Sequence, residues 1–248
     1  MNKIKFFSAD STNTARAVIS FAIQGTPKNV NLFNAYSLAS AEKSGNYEPY
    51  VVKTSLNLFD GFLVALAYRI FYKNAPVQET RGVDLFRNIL SLDQNRELKH
   101  FFICGSTEIE HRLRVILENE YSGIQISGVW IPNENFSPDE FDRGVSTHLS
   151  NSNSNIIWVG LGTPKQDRLS LLITRSTKIT TVGIGAALEF FTGIKEECPR
   201  YIQRMNLEWL YRLVQEPSRL WKRYTIEMIF FIRALSNNYF TKDTEFDK

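Results

Sequence analysis

From about residue 100 onward, short apolar runs alternate with helical stretches, and few folds absorb that rhythm. The run HFFIC (100–104) is followed by Gly105, Ser106 and Thr107. Next comes EIEHRLRVILENE, whose Ile109, Leu113, Ile116 and Leu117 fall on one helical face. GIQISGVW predicts a second strand. Ser137, Pro138, Asp139 and Glu140 open a further helix, with serine as N-cap and proline at the first helical position. NIIWVG predicts a third strand running into the loop GLGTPKQD. After another helix, KITTVGIG runs into GAALEFFTG. Strands alternating with helices predict an α/β chain on a doubly wound, mainly parallel sheet.

The first hundred residues carry the theme less regularly. Residues 29–33 predict a strand and 35–43 a helix. TSLNLFDGFLVALAYRIFYK reads as strand, Asp-Gly turn and helix, and ETRGVDLFRNIL starts another helix. The N-terminal stretch MNKIKFFSADSTNTAR has no long apolar run, so no signal peptide is expected. Two cysteines, Cys104 and Cys198, allow neither a disulfide framework nor zinc spacing, which points to a reducing compartment.

The last quarter differs in character. Between Pro199 and Lys242 there are eight cations and three acids, interleaved with Trp, Tyr and long aliphatic residues. The whole chain carries only +3, so a general nucleic-acid binder is excluded, while a local basic field remains for anionic lipid or phosphate. No apolar run approaches the roughly 20 residues of a spanning helix. Leu207, Leu210, Tyr211 and Val214 have helical spacing, Glu216-Pro217 interrupts it, and Arg219 onward resumes it. The division expected is a core over 1–198 and a basic, aromatic, helical appendage over 199–248.

In open α/β sheets, ligands sit outside the carboxyl ends of the strands. Four strand-end loops qualify: Asp60-Gly61, Gly105 to Thr107, Gly160 to Gln166, and Gly183 to Gly185. Glycines let backbone N–H groups approach a phosphate, although turns favour glycine anyway. GLGTPKQ is not the dinucleotide fingerprint, because Lys165 stands where the third glycine would be. Asp60 suits a turn or N-cap, or a general base at a strand end. Asp84 could cap a helix, and Glu189 could face solvent or the site. His100, His111 and His148 are scattered, so no metal site is expected. Neither a nucleophile elbow, nor a P-loop, nor an Asp-x-Asp metal motif is present.

Five motifs fall in order: DG at 60–61, RGVDL at 81–85, VGLGTPKQD at 159–167, VGIGAALEFFTG at 182–193 and NLEWLYRLVQEPSRLWKRY at 206–224. Together they resemble the WecG/TagA/CpsF glycosyltransferases, glycosyltransferase family 26, over about residues 30–224. The resemblance implies a Rossmann-like core and an inverting, metal-independent transfer from a UDP-sugar to a polyprenyl-diphosphate-linked acceptor. It places the reaction in bacterial exopolysaccharide, capsule or teichoic acid linkage synthesis, at the cytoplasmic face of the membrane. The sugar would be N-acetylmannosamine, its uronic acid, glucose or glucuronic acid. An anionic membrane surface is the implied partner of the appendage; a homo-oligomer is left open.

Matched residue by residue, the resemblance makes Asp60 the general base and Asn34 its neighbour from the family's T-x-N segment. Gln166 falls in the sugar-nucleotide pocket. Arg212 and Arg219 match the arginines of YRL and EPxR, and Lys222 or Arg223 the next cation, all set to offset charge on departing UDP. Arg81, Asp84, Gly105, Gly160, Gly162, Lys165, Gly185 and Glu189 complete the expected substrate-binding set. Departures are Leu32 for the family threonine, Glu197-Cys198 for Arg-Ala, Asn206 for glycine and Glu189 for aspartate; they imply a divergent member with an altered donor or acceptor.

The competing reading is a non-catalytic nucleotide-sugar-binding or scaffold protein of a polysaccharide assembly complex, supported only by Leu32. An NAD-dependent oxidoreductase is disfavoured by the missing fingerprint and ribose-binding acid. RNA binding lacks an accompanying stacking motif.

Overall fold

The computed structural model describes residues 3–72, 77–93, 97–133, 143–144, 147–149, 152–237 and 240–244, with the backbone alone at 219, 223, 224 and 241–244. The strands are β1 (Ile4–Phe7), β2 (Asn29–Phe33), β3 (Ser55–Phe59), β4 (Lys99–Ile103), β5 (Gln125–Trp130), β6 (Ile156–Val159), β7 (Thr180–Gly183) and β8 (Phe240–Thr244). They form one sheet in the order β5-β4-β6-β7-β2-β3-β1-β8, every pair parallel.

Side chains alternate across the sheet as the two-residue period requires. Phe7, Leu32, Leu58, Phe102 and Trp158 face one layer, which holds α1 (Ser11–Ile23), α5 (Gly82–Leu92), α6 (Thr107–Glu120) and α8 (Ala187–Phe191). Phe6, Phe33 and Phe59 face the other, against α2 (Ala35–Ser44), α3 (Glu48–Val51) and α4 (Phe62–Phe71). Further along that side, Phe101, Ile103, Ile157 and Val159 pack on α7 (Lys165–Thr177). Helices on both faces of a parallel sheet make the expected doubly wound, Rossmann-like α/β fold.

Three buried asparagines interrupt the apolar character of the central strands. Their amide N–H groups are met by hydrogen bonds that dock α3 onto the sheet, while Asn29 Oδ1 and Asn31 Oδ1 have no hydrogen-bond partner among the described residues. Asn31 Nδ2 donates to Pro49 O (2.9 Å) and to Asn57 Oδ1 (3.0 Å), while Asn57 Nδ2 donates to Tyr50 O and Lys5 O, both at 2.8 Å. His100 is another core residue: Trp158 Nε1 donates to its Nδ1 at 2.9 Å.

After residue 198 the chain forms α9 (Arg200–Arg204), α10 (Glu208–Gln215) and α11 (Pro217–Ser236). Proline at the first position of α11 explains the interrupted periodicity at Glu216. Leu220, Phe231 and Ala234 are buried, and α11 packs along α2. The segment does not stay helical: Phe240–Thr244 is a strand that joins β1. At the other end, β1 and α1 build the stretch without clear periodicity. Asp10 caps α1, accepting from the backbone N–H groups of Thr12 (3.0 Å) and Asn13 (2.9 Å). The helix expected at Ser137–Glu140 lies outside the described residues.

Candidate functional site

A parallel sheet sends all its strand carboxyl ends to one rim, and the loops there surround a cavity of about 870 Å³. Leu32 and Asn34 enter from β2, Asp60 from β3, Gly105 from β4, Asn133 from β5, Gly160 to Gln166 from β6, and Ile184 to Ala187 from β7. A second cavity, about 230 Å³, lies among α2, α4, α10 and α11, walled by Ala39, Phe62, Leu63, Trp209, Met228 and Phe231. The two share Asn34, Tyr36, Asp60, Arg81, Glu208 and Arg212.

Asp60 is not a helix cap. Gly61 takes that position with φ +84°, a conformation suited to glycine that turns the chain from β3 into α4. Asn34 Nδ2 donates to Asp60 Oδ2 at 3.1 Å. The Asn34 oxygen is engaged in capping α2, accepting from Tyr36 N (3.0 Å) and Ser37 N (3.1 Å). This fixes the amide orientation, so its NH₂ faces Asp60. Leu32, two residues earlier, forms apolar floor; a Cβ on Gly82 would lie 2.5 Å from its Cδ1.

The GTPKQ loop is braced from beneath. Gly162, at φ +76°, donates its N–H to Gln166 Oε1 at 3.0 Å, and Gln166 also lies against Gly183 and Gly185. Gln166 therefore shapes the loop as well as lining the cavity. A Cβ at Gly160 would stand 2.6 Å from Leu188 Cδ1, so the Leu188 side chain would have to shift. Asp167 is 1% exposed beside Tyr50 and Thr163. Among the described residues neither carboxylate oxygen has a partner in hydrogen-bond geometry, although both hydroxyls stand near enough to favour the charge. Burial wins and raises its pKa from 3.8 to about 6.

Charged side chains tie the C-terminal helices to this rim. The Arg81 guanidinium meets Asp84 (3.0 Å), Glu208 (3.1 Å) and Glu197 (3.9 Å). Burial opposes its charge, yet Glu208 and Asp84 more than offset that and hold its pKa above the ordinary value. Glu208 also pairs with Arg212, whose guanidinium lies 4.8 Å over the Phe190 ring. Lys195 bridges Glu189 (2.7 Å) and Glu216 (2.9 Å). Glu79 lines the smaller cavity; burial raises its pKa, Arg69 opposes this, and Asp60 and Glu208 add to it.

Of the expected residues, Asp60, Asn34, Arg81, Gly105, Gly160, Gly162, Lys165, Gln166, Gly185, Glu189, Arg212 and Lys222 all line the larger cavity. Asp84 lies in the first turn of α5, which Arg81 caps, and reaches the site only through Arg81. The side chains of Arg219 and Arg223 lie outside the described residues. Glu79, Lys195, Phe190 and Glu208 were not singled out. Glu208 sits inside the LEWLYRL motif and Glu79 just before RGVDL, but sequence spacing does not reveal that both line the smaller cavity with Asp60.

The sequence model of the Glycosyl transferase WecG/TagA/CpsF family matches residues 2–244. The chain belongs to this family. The match runs from β1 through β8, so both terminal strands fall within it. This glycosyltransferase of cell-surface polysaccharide synthesis has to bring a sugar donor and a glycan acceptor together, and it presents two joined cavities with the carboxylates of Asp60, Glu208 and Glu227 on their common wall. No helix among the described residues is long and apolar enough to cross a membrane.

Proposed function

We propose that this glycosyltransferase moves a hexose of the N-acetylmannosamine, glucose or uronic acid type from a UDP-sugar to a polyprenyl-diphosphate-linked glycan, with inversion and without a metal. The observation that carries the reading is the position of Asp60, on the wall shared by the two cavities. The larger cavity, ringed by glycine loops and by Lys165, Arg212 and Lys222, suits a nucleoside diphosphate. The smaller, apolar-walled one suits the lipid-linked acceptor.

In the single displacement proposed, the acceptor hydroxyl gives its proton to Asp60 as its oxygen attacks the anomeric carbon. The bond from that carbon to the β-phosphate oxygen breaks, and UDP leaves with the electron pair. Asn34 holds the carboxylate, and Arg81 and Arg212 meet the charge growing on the leaving diphosphate. Met205, Val214, Trp221, Ile226, Ile229 and Ile232 are exposed on α10, α11 and the turn before them. They support peripheral attachment of the C-terminal helices to the inner face of the plasma membrane, where such acceptors are held. The altered floor at Leu32 fits a changed donor sugar.

A radiolabelled UDP-sugar, incubated with a polyprenyl-diphosphate acceptor, tests the reading. Asp60→Asn is expected to lower the transfer rate by about 10²–10⁴-fold while UDP still binds, and chelation with EDTA to leave the wild-type rate unchanged. Full turnover by Asp60→Asn removes Asp60 from the base role.

A further inference from the structure

Glu208 stands where two arginines of separate elements converge. One carboxylate oxygen, Oε2, accepts from Arg81 Nε at 3.1 Å; the other, Oε1, accepts from Arg212. A carboxylate spread across two guanidiniums occupies the position that phosphate oxygens would take between the same donors. All three side chains line the cavity assigned above to the donor.

Three observations separate Glu208 from an ordinary tie between helices. Arg212 Nε is buried and has no hydrogen-bond partner among the described residues. A donor is thus left over that a carboxylate does not fill and a phosphate, with more acceptor oxygens, can. Arg212 also lies over the Phe190 ring, and Arg81 also pairs with Asp84, so each guanidinium stays anchored if Glu208 departs. Finally, the cavity already holds the carboxylates of Asp60, Glu189, Glu208 and Glu227. A diphosphate arriving beside Glu208 would meet a like charge between its own two arginines.

We propose that Glu208 is an exchangeable counter-ion: it stands in for the diphosphate in the empty enzyme and is displaced by it. The inference rests on the larger cavity being the nucleoside-diphosphate site. Glu208 is a positioning and selecting residue, not a reacting one. It keeps Arg81 and Arg212 converged without ligand, and it penalises anions too weakly charged to expel it. Because Glu208 opens α10, donor binding releases the contact that ties this helix to Arg81.

The test is calorimetric titration of wild type and Glu208→Gln with UDP, with neutral uridine as control. Glutamine keeps the shape and removes the charge. The expected result is UDP binding about tenfold tighter in Glu208→Gln, with uridine affinity unchanged. Equal or weaker UDP binding by a folded Glu208→Gln, with wild type binding UDP, overturns the counter-ion role and leaves the donor-site reading standing. If neither protein binds UDP, that reading falls and this proposal with it. A second measurement needs no variant: carbodiimide-driven amidation of wild type, read by mass spectrometry. UDP is expected to increase labelling at Glu208; unchanged or reduced labelling refutes displacement.

Discussion

Replacing Asp167 with asparagine is expected to stabilise this protein at neutral pH and to do little in acid. The side chain is 1% exposed at the first turn of α7, and burial raises its pKa from 3.8 to about 6. Between those values the folded state binds the proton that the unfolded state has released. Stability therefore falls as pH rises through this window, and the whole penalty is present above about pH 6. A shift of about two pH units corresponds to about 3 kcal/mol, an upper bound for what the neutral isostere recovers. Urea denaturation followed by circular dichroism at pH 4 and pH 7.5 measures it. The expected gain is about 1–3 kcal/mol at pH 7.5, shrinking to within about 1 kcal/mol at pH 4. A variant equally destabilised at both values would show that Tyr50 and Thr163 satisfy the charged carboxylate, and would refute the reasoning.

Two further outcomes follow from other parts of the molecule. Gly160→Ala places a Cβ 2.6 Å from Leu188 Cδ1 and 3.4 Å from Ile103 O, and is expected to cost about 1–3 kcal/mol in thermal or chemical denaturation. An unchanged midpoint would mean that Leu188 yields freely. Ile229→Glu with Trp221→Glu changes two residues that are 67% and 64% exposed, so folding is expected to survive while co-sedimentation with anionic vesicles is lost. Undiminished vesicle binding would move the membrane-facing surface away from α11.

The sequence made the second half of the sheet legible because β4 and β6 are largely apolar runs that end in glycine loops. In the first half β2 (29–33) and β3 also read as strands, in spite of the asparagines they carry. In β2 and β3, Asn29, Asn31 and Asn57 are buried by partners contributed from distant backbone, the carbonyl of Pro49 among them. A local reading counts asparagine against a strand and cannot foresee those acceptors. The short β1 escaped, since its edge is completed by a strand more than 230 positions away. At the candidate site, motif matching picked out Asp60 and Asn34, which stand at strand ends, and Arg212, which lies in the helical LEWLYRL motif. It passed over Glu79, Glu208 and Lys195, because their significance lies in which opposite charge faces them across elements.

The pairing of β8 with β1 also governs where this chain can be shortened. Phe240 is buried against Phe6 and Tyr68, and Tyr72 donates its hydroxyl proton to Phe240 O at 2.7 Å. A deletion ending with α11 would strip that cover and leave β1 as a bare outer strand, open to pairing with another molecule. Insolubility of such a truncated chain would then report a damaged sheet margin rather than a missing lipid contact. The two causes separate cleanly if the surface of α11 is altered while β8 is kept.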